Sequence, residues 1–409
     1  MRLRSAAVIA TVALSVAGAL GGAAGTAGAA GAAPRGTPLL TERFTGATAD
    51  ARFRAYGSAC LTGAARGAAP GPGEHALSGC DANPVGPVPP GSAAPHGFLQ
   101  LTDAGNDRQG AALFKSPIRA VDGLQVTFDQ WQYGSTTTDP SPADGISFFL
   151  TDGSHHLTTP GPFGGSLGYA QKLPDDDPAR PFLPGVSHGY LGIGLDVLGN
   201  YFGDWEHRGD GCDRRSPAGT AFHVPAPGRN MVTVRGPGNG TSGYCWLDAT
   251  TSNTSTTGPW PSTLPGELHG PTTAVPPGST PEQAERLLEP SRRTVRIRIT
   301  PAPKPHVTID VDFGGGFKRV LAFDAPEPEP RTYHFGFAAS TGLFTDVHLV
   351  RNVVVSTLRP VPPKPKPPKP KPKPKPKPHR PRHHHPGYCM APADHLAVRA
   401  HACRAEVAR

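Results

Sequence analysis

Residues 191–204, LGIGLDVLGNYFGD, begin as an apolar strand and finish in oxygen donors: Asp196, Asn200 and Asp204. Carboxylate and amide oxygens crowded at a strand end repel one another unless a cation or a polar ligand lies between them. Hard oxygen ligands spaced along a strand that runs into a turn suit Ca2+, which takes roughly six to eight oxygens. Without a cation, two carboxylates would sit close together and at least one would hold its proton to higher pH. Two other stretches carry compatible chemistry. ADGISFFL supplies Asp144, and GGSLGY supplies Gly165, whose backbone N–H is open to close approach because no side chain guards it.

The elements that must position these residues read as strands. In GLQVTFDQWQYG, Leu124, Val126 and Phe128 alternate with polar partners. TVRIRIT puts Val295, Ile297 and Ile299 on one face and Arg296 and Arg298 on the other. HVTIDVDFGGG repeats the pattern with Val307, Ile309, Val311 and Phe313. A period of two bounded by Gly and Pro is the signature of half-buried antiparallel strands, which pair face to face as a sandwich. Gly and Pro, 51 and 50 residues of 409, disfavour a helical protein. One helix is predicted in STPEQAERLLEP, with Thr280 as N-cap, Pro281 at the first helical position and Gln283 closing a capping box. Residues 248–279, rich in Thr, Ser, Pro and Gly, are expected to form a long surface loop.

ADGISFFL, GGSLGY, LDVLGNYFGD and YHFGFAASTG, in this order, resemble the L-type lectins, the legume-lectin fold with its secreted bacterial relatives. The resemblance spans most of residues 39–356. It implies an all-β, concanavalin-like jelly roll and a sugar site built from loops over one bound Ca2+. Carried over by motif, Asp196, the Leu198 carbonyl, the Asn200 side-chain oxygen and Asp204 would hold the ion. Asp144, Gly165 and Asn200 would bind the sugar, with a cis peptide between Ala143 and Asp144. In such a site Asp144 accepts hydroxyl hydrogen bonds, the Gly165 N–H donates, and Asn200 turns its amide NH2 to the sugar while its oxygen faces the ion. Departures accompany the match. Gly194 and Gly209 stand where plant members carry a Glu and a His for a second, transition metal, and Glu206 and His207 are out of register. Leu198 replaces the usual stacking aromatic, leaving Tyr201, Phe202, Trp246 and Trp260 as candidate platforms, with packing under loops the favoured reading of the two Trp.

The flanks set the compartment. A basic MRLR start, an apolar run over residues 6–20 and small residues after it read as a signal peptide over residues 1–30. Six cysteines in an exported chain are expected to pair, and proximity favours Cys60–Cys80, Cys212–Cys245 and Cys389–Cys403. The lectin-like domain is assigned to residues 37–357, a Pro/Lys/His-rich linker to 358–386 and a short C-terminal segment to 387–409. Nine Lys or Arg and no acid fall in residues 360–383, so the net charge of +8 belongs to this stretch. That excludes a nucleic-acid groove on the folded part. Alternating Lys and Pro extends as polyproline II over on the order of 60 Å. Its charge favours anionic cell-wall polymers, and a metal role for His379 and residues 383–385 is the lesser reading.

This jelly roll also hosts glycoside hydrolases and lyases, which need two carboxylates about 5–9.5 Å apart. The strand at Asp196 offers one acid, with Gly194 where its partner would stand, and Asp310 and Asp312 lie on the polar face of a regular strand. The sequence therefore reads as a secreted, non-catalytic, Ca2+-dependent carbohydrate-binding protein without a transmembrane segment. A wall-associated structural or adhesion module that lacks sugar binding is the alternative.

Overall fold

The structure, a computed structural model, describes residues 36–137, 141–301 and 304–359. Two antiparallel sheets make up the domain. The eight-stranded sheet runs, edge to edge, Phe317–Asp324, His306–Asp312, Arg293–Ile299, Leu124–Tyr133, Val347–Ser356, Leu99–Thr102 and Cys60–Leu61, with Pro38–Glu42 also paired to Val347–Ser356. The ten-stranded sheet runs Ser242–Gly243, Gly238–Asn239, Gly189–Asp196, Gly145–Asp152, Thr332–Ser340, Gln109–Arg119, Phe53–Gly57 and Glu74–His75. Met231–Arg235 joins it through Gly189–Asp196 and carries Trp246–Ala249. The alternating segments are all strands, as their period predicts.

Between the sheets lies one apolar core. Phe128 from the first sheet meets Phe148 and Phe337 from the second, and Phe114 stacks on Phe335 at 4.8 Å between ring centres. Val126, Val295 and Ile297 fill the same layer. The predicted helix forms over Pro281–Leu288 with the reciprocal Thr280–Gln283 capping box in place. Residues 248–279 are loop apart from the end of Trp246–Ala249, yet Leu268 and Trp260 within them are buried.

The ten-stranded sheet is covered a second time. Leu191, Ile193 and Leu195 enter the inter-sheet core, while Gly192 and Gly194 turn to the opposite face. There Tyr169, Tyr201 and Tyr244 from the connecting loops form a separate apolar cluster with Phe149 and Leu167. The fit leaves no space for side chains on the strand. An ideal Cβ on Gly192 would lie 2.1 Å from the Tyr169 ring, and one on Gly194 2.4 Å from the Tyr201 ring. The alternation of large and absent side chains in LGIGLD follows from this double burial.

Cys60–Cys80 and Cys212–Cys245 are bonded as expected. The Cys389–Cys403 pairing, the signal peptide, the Pro/Lys/His-rich linker and the C-terminal segment lie outside the described residues. Among the described residues, no helix is long and apolar enough to cross a membrane.

Candidate functional site

Gly145 pairs with both Asp196 and Ser340, so the start of Gly145–Asp152 and the ends of its two neighbours coincide. Asp144 occupies the turn just before that strand, after a cis Ala143–Asp144 peptide. Its carbonyl accepts from Val197 and Leu198 N–H, both at 3.1 Å, and its N–H donates to the Ser340 carbonyl. The Ser340 hydroxyl lies 3.1 Å from Asp144 Oδ2 and 3.0 Å from the Gly164 N–H, which it accepts. Strand ends and the turn Gly164–Ser166 are thereby tied to one carboxylate.

The same turn meets the loop after Asp196. An ideal Cβ on Gly165 would stand 2.7 Å from Asn200 Cβ and 2.8 Å from Arg208 Nη1. Asp144, Gly165 and Asn200 therefore come together from three separate loops, Asn200 half-buried and Asp144 4 % exposed. Burial pushes the Asp144 carboxyl up to about 7, against the pull of Ser340, Lys172 and Arg208. Burial likewise pushes Asp196 up to about 7, with the Asp144 charge adding to it. The sequence placed the crowding between Asp196 and Asp204; here the charge that raises Asp196 is that of Asp144.

Asp204 is placed differently from the expectation. Its Oδ1 takes a hydrogen bond from Arg235 Nη1 at 3.0 Å, and its Oδ2 takes one from the Ser216 N–H at 2.8 Å. Both partners of the Arg235–Asp204 pair are fully buried. Asp196 spends its oxygens on the N–H groups of Gly199 and Tyr201, both at 2.7 Å. Arg208, 1 % exposed, pairs with Glu206 at 3.0 Å and donates from Nε to the Gly203 carbonyl at 3.2 Å. Lys172 holds the other Glu206 oxygen at 3.2 Å.

This donor set does not fit the expected Ca2+ ligation by Asp196, Leu198, Asn200 and Asp204. One of its two carboxylates is neutralised by a buried guanidinium, and a second guanidinium stands beside the other loop, so a dication would enter a region that already holds cations. At the positions of the transition metal of plant members, the Tyr201 ring covers Gly194, and Gly209 faces the Asp204–Arg235 pair. Of the candidate platforms, Trp246 and Trp260 are packed under loops, as their loop context favours, and Tyr201 and Phe202 are buried too. Phe202, Trp246 and Trp260 pack together with Met231, and Tyr201 lies in the tyrosine cluster, away from the Asp144 turn. Phe163, half-buried and adjacent to Gly164 with Lys172 over its ring at 5.6 Å, is the aromatic that the turn itself presents.

Neither a family model nor a curated protein matches the sequence. Solved structures similar to it include the exoplasmic/lumenal domain of VIP36 in its Ca2+/Man3GlcNAc-bound form, 14 % identical over 66 % of this chain and 83 % of that one, TM-score 0.37. Lectin II from Ulex europaeus is 12 % identical over 78 % of this chain and 99 % of that one, TM-score 0.40. Peanut lectin with a nine-residue peptide is 17 % identical over 64 % and 85 %, TM-score 0.35. The fold itself is a sandwich of two antiparallel sheets.

The sandwich contains site residues that the motifs do not include. Arg208 and Arg235 lie outside the matched motifs, and only their position in Gly- and Val-rich stretches, where a cation is costly unless paired, marks them. Ser340 belongs to YHFGFAASTG, but nothing in the spacing links it to Asp144 before the register of the strands is known.

Proposed function

We propose that this is a secreted, non-catalytic carbohydrate-binding protein whose recognition site is formed by Asp144, Gly165 and Asn200. The observation that carries the reading is the meeting of the Asp144 turn, the turn Gly164–Ser166 and Asn200 at one end of the larger sheet. A carboxylate acceptor, a backbone N–H and a side-chain amide in one patch are the groups that a sugar's vicinal hydroxyls need. The burial of Asp144 supports it further, since a carboxyl kept at an electrostatic cost is a mark of sites selected for binding. Phe163 is the ring best placed to pack on a sugar face. Export agrees with the two local disulfides. The anionic-polymer partner of the basic tail rests on charge alone.

A glycan array of the full chain tests this, followed by calorimetry with the retained sugar. Isolated monosaccharides are expected to bind at about millimolar Kd, ~4 kcal/mol, so display in several copies would supply avidity. Asp144→Ala is expected to abolish retention while the protein stays folded. Retention by Asp144→Ala equal to that of the native chain, or no glycan retained by either, defeats the reading.

A further inference from the structure

In the family that this sequence resembles, the loops around the site are organised by a metal ion, and the side chains here do not fit one. What stands in that region instead is a pair of guanidinium groups. Arg235 reaches in from Met231–Arg235 and donates to the carbonyls of Tyr201 at 3.1 Å, Gly203 at 2.7 Å and Tyr244 at 3.1 Å, besides binding Asp204. Its guanidinium also lies over the Tyr201 ring, 5.3 Å from the centre. Arg208 lies between the turn Gly164–Ser166 and the loop 200–206, held by Glu206 and the Gly203 carbonyl. Its charge acts on Asp144 and on Asp196, the two carboxylates that nothing else inside the cluster neutralises by direct contact.

We infer that Arg208 and Arg235 take the place of a divalent cation in this domain, so that the recognition loops are organised without Ca2+. A dication holds such loops by drawing carboxylates and backbone carbonyls toward one point. Two guanidinium forks do the same from two points, with five donors each in fixed directions and a charge that no physiological pH removes. Gly203 shows the exchange most directly, since its one carbonyl is shared by Arg208 and Arg235. Lys172 and Glu206 complete the cluster, so that three cations meet two carboxylates in direct ion pairs, Glu206 with Lys172 and Arg208 and Asp204 with Arg235. A Ca2+ ion added to that set would leave it in excess positive charge.

The inference concerns how the loops are held, and it uses the same site as the carbohydrate reading without needing a sugar to test it. Thermal melting and Ca2+ calorimetry on the full chain are the measurements. The native protein is expected to melt at the same temperature in millimolar Ca2+ and in EDTA, with no saturable heat of Ca2+ binding. One-to-one Ca2+ binding, or a fall in Tm in EDTA, overturns the inference. Arg208→Gln is the second arm: its Tm is expected to drop and to rise again when Ca2+ is added, because a vacated charge and space then admit the ion. A variant that melts lower but ignores Ca2+ would assign Arg208 a packing role only, and the exchange would be wrong. Should Arg208→Gln fail to fold, the native arm decides. An empty glycan array would count against the proposed function and leave both readouts here intact.

Discussion

The outer faces of the two sheets face different surroundings. On the eight-stranded sheet, Arg293–Ile299 alternates buried Val295, Ile297 and Ile299 with Thr294, Arg296 and Arg298 directed to the surface. Its arginines stay partly in solvent and reach across strands, Arg296 to the buried Asp310 at 2.9 Å and Arg298 to Gln125. On the ten-stranded sheet, Gly145–Asp152 and Gly189–Asp196 are buried on both faces, beneath the tyrosine cluster. Charges there are out of reach of water and must be matched inside the protein. The covered face therefore concentrates the buried ion pairs, and its open end is where the candidate site forms.

The sharpest way to test the contrast is to remove one cation from each face. Arg235→Met leaves Asp204 buried without its partner, and the expected loss of stability is about 3–5 kcal/mol. Arg298→Ala, on the open face, is expected to change stability by no more than about 0.5 kcal/mol. Urea unfolding of the two variants beside the native chain gives both numbers. Similar losses would mean that burial does not distinguish the two faces energetically.

Packing on the covered face offers a second comparison. Gly192→Ala drives a methyl into the Tyr169 ring, 2.1 Å from its nearest atom, and overpacking of this kind costs about 1–3 kcal/mol. Gly315→Ala, in the exposed turn before Phe317–Asp324, meets nothing within 4 Å and is the control. If both melt alike, the tyrosine layer is loose enough to yield and the account of LGIGLD fails.

This contrast also explains what was legible in the sequence. TVRIRIT and HVTIDVD announce their strands because one face meets solvent, and polar residues mark it. Gly189–Asp196 announces itself less clearly, since glycine on its second face replaces the polar half of the pattern. Asp144, Gly165 and Asn200 were readable from three motifs, and the structure brings them together. The partner of Asp204 was not, because Arg235 is 31 residues away and reaches it only through the pairing of Met231–Arg235 with Gly189–Asp196. Ion ligation and ion pairing draw on the same acids, so a motif of oxygens alone does not say which cation answers it. Tyr201 and Phe202 are buried for a related reason, since a motif does not tell an exposed ring from one that caps a second core, whereas Trp246 and Trp260 pack under loops as read.

The pH-dependent effect is the most specific to the site. Asp144 is held with its carboxyl pushed up to about 7 by burial, against 3.8 for an exposed one. A folded-state value above the unfolded one means that, between about pH 4 and pH 7, the folded protein keeps a proton that the unfolded chain releases. Stability from this group therefore falls as the pH rises through that window, and the full penalty applies above it. Asp144→Asn cannot ionise, so its stability relative to the native chain should be near nil difference at acid pH and favourable at mildly alkaline pH. The expected gain there is a few kcal/mol at most, at about 1.4 kcal/mol per pH unit, since the raised value already includes the pull of Lys172 and Arg208. Asp196, raised by the same neighbour, should also ease once Asp144 is neutral, flattening the slope further. Melting curves across pH for the native chain and the variant measure it. A parallel pair of curves would show that Asp144 titrates as an ordinary surface acid, and the covered end of the sheet would then differ little from the open one.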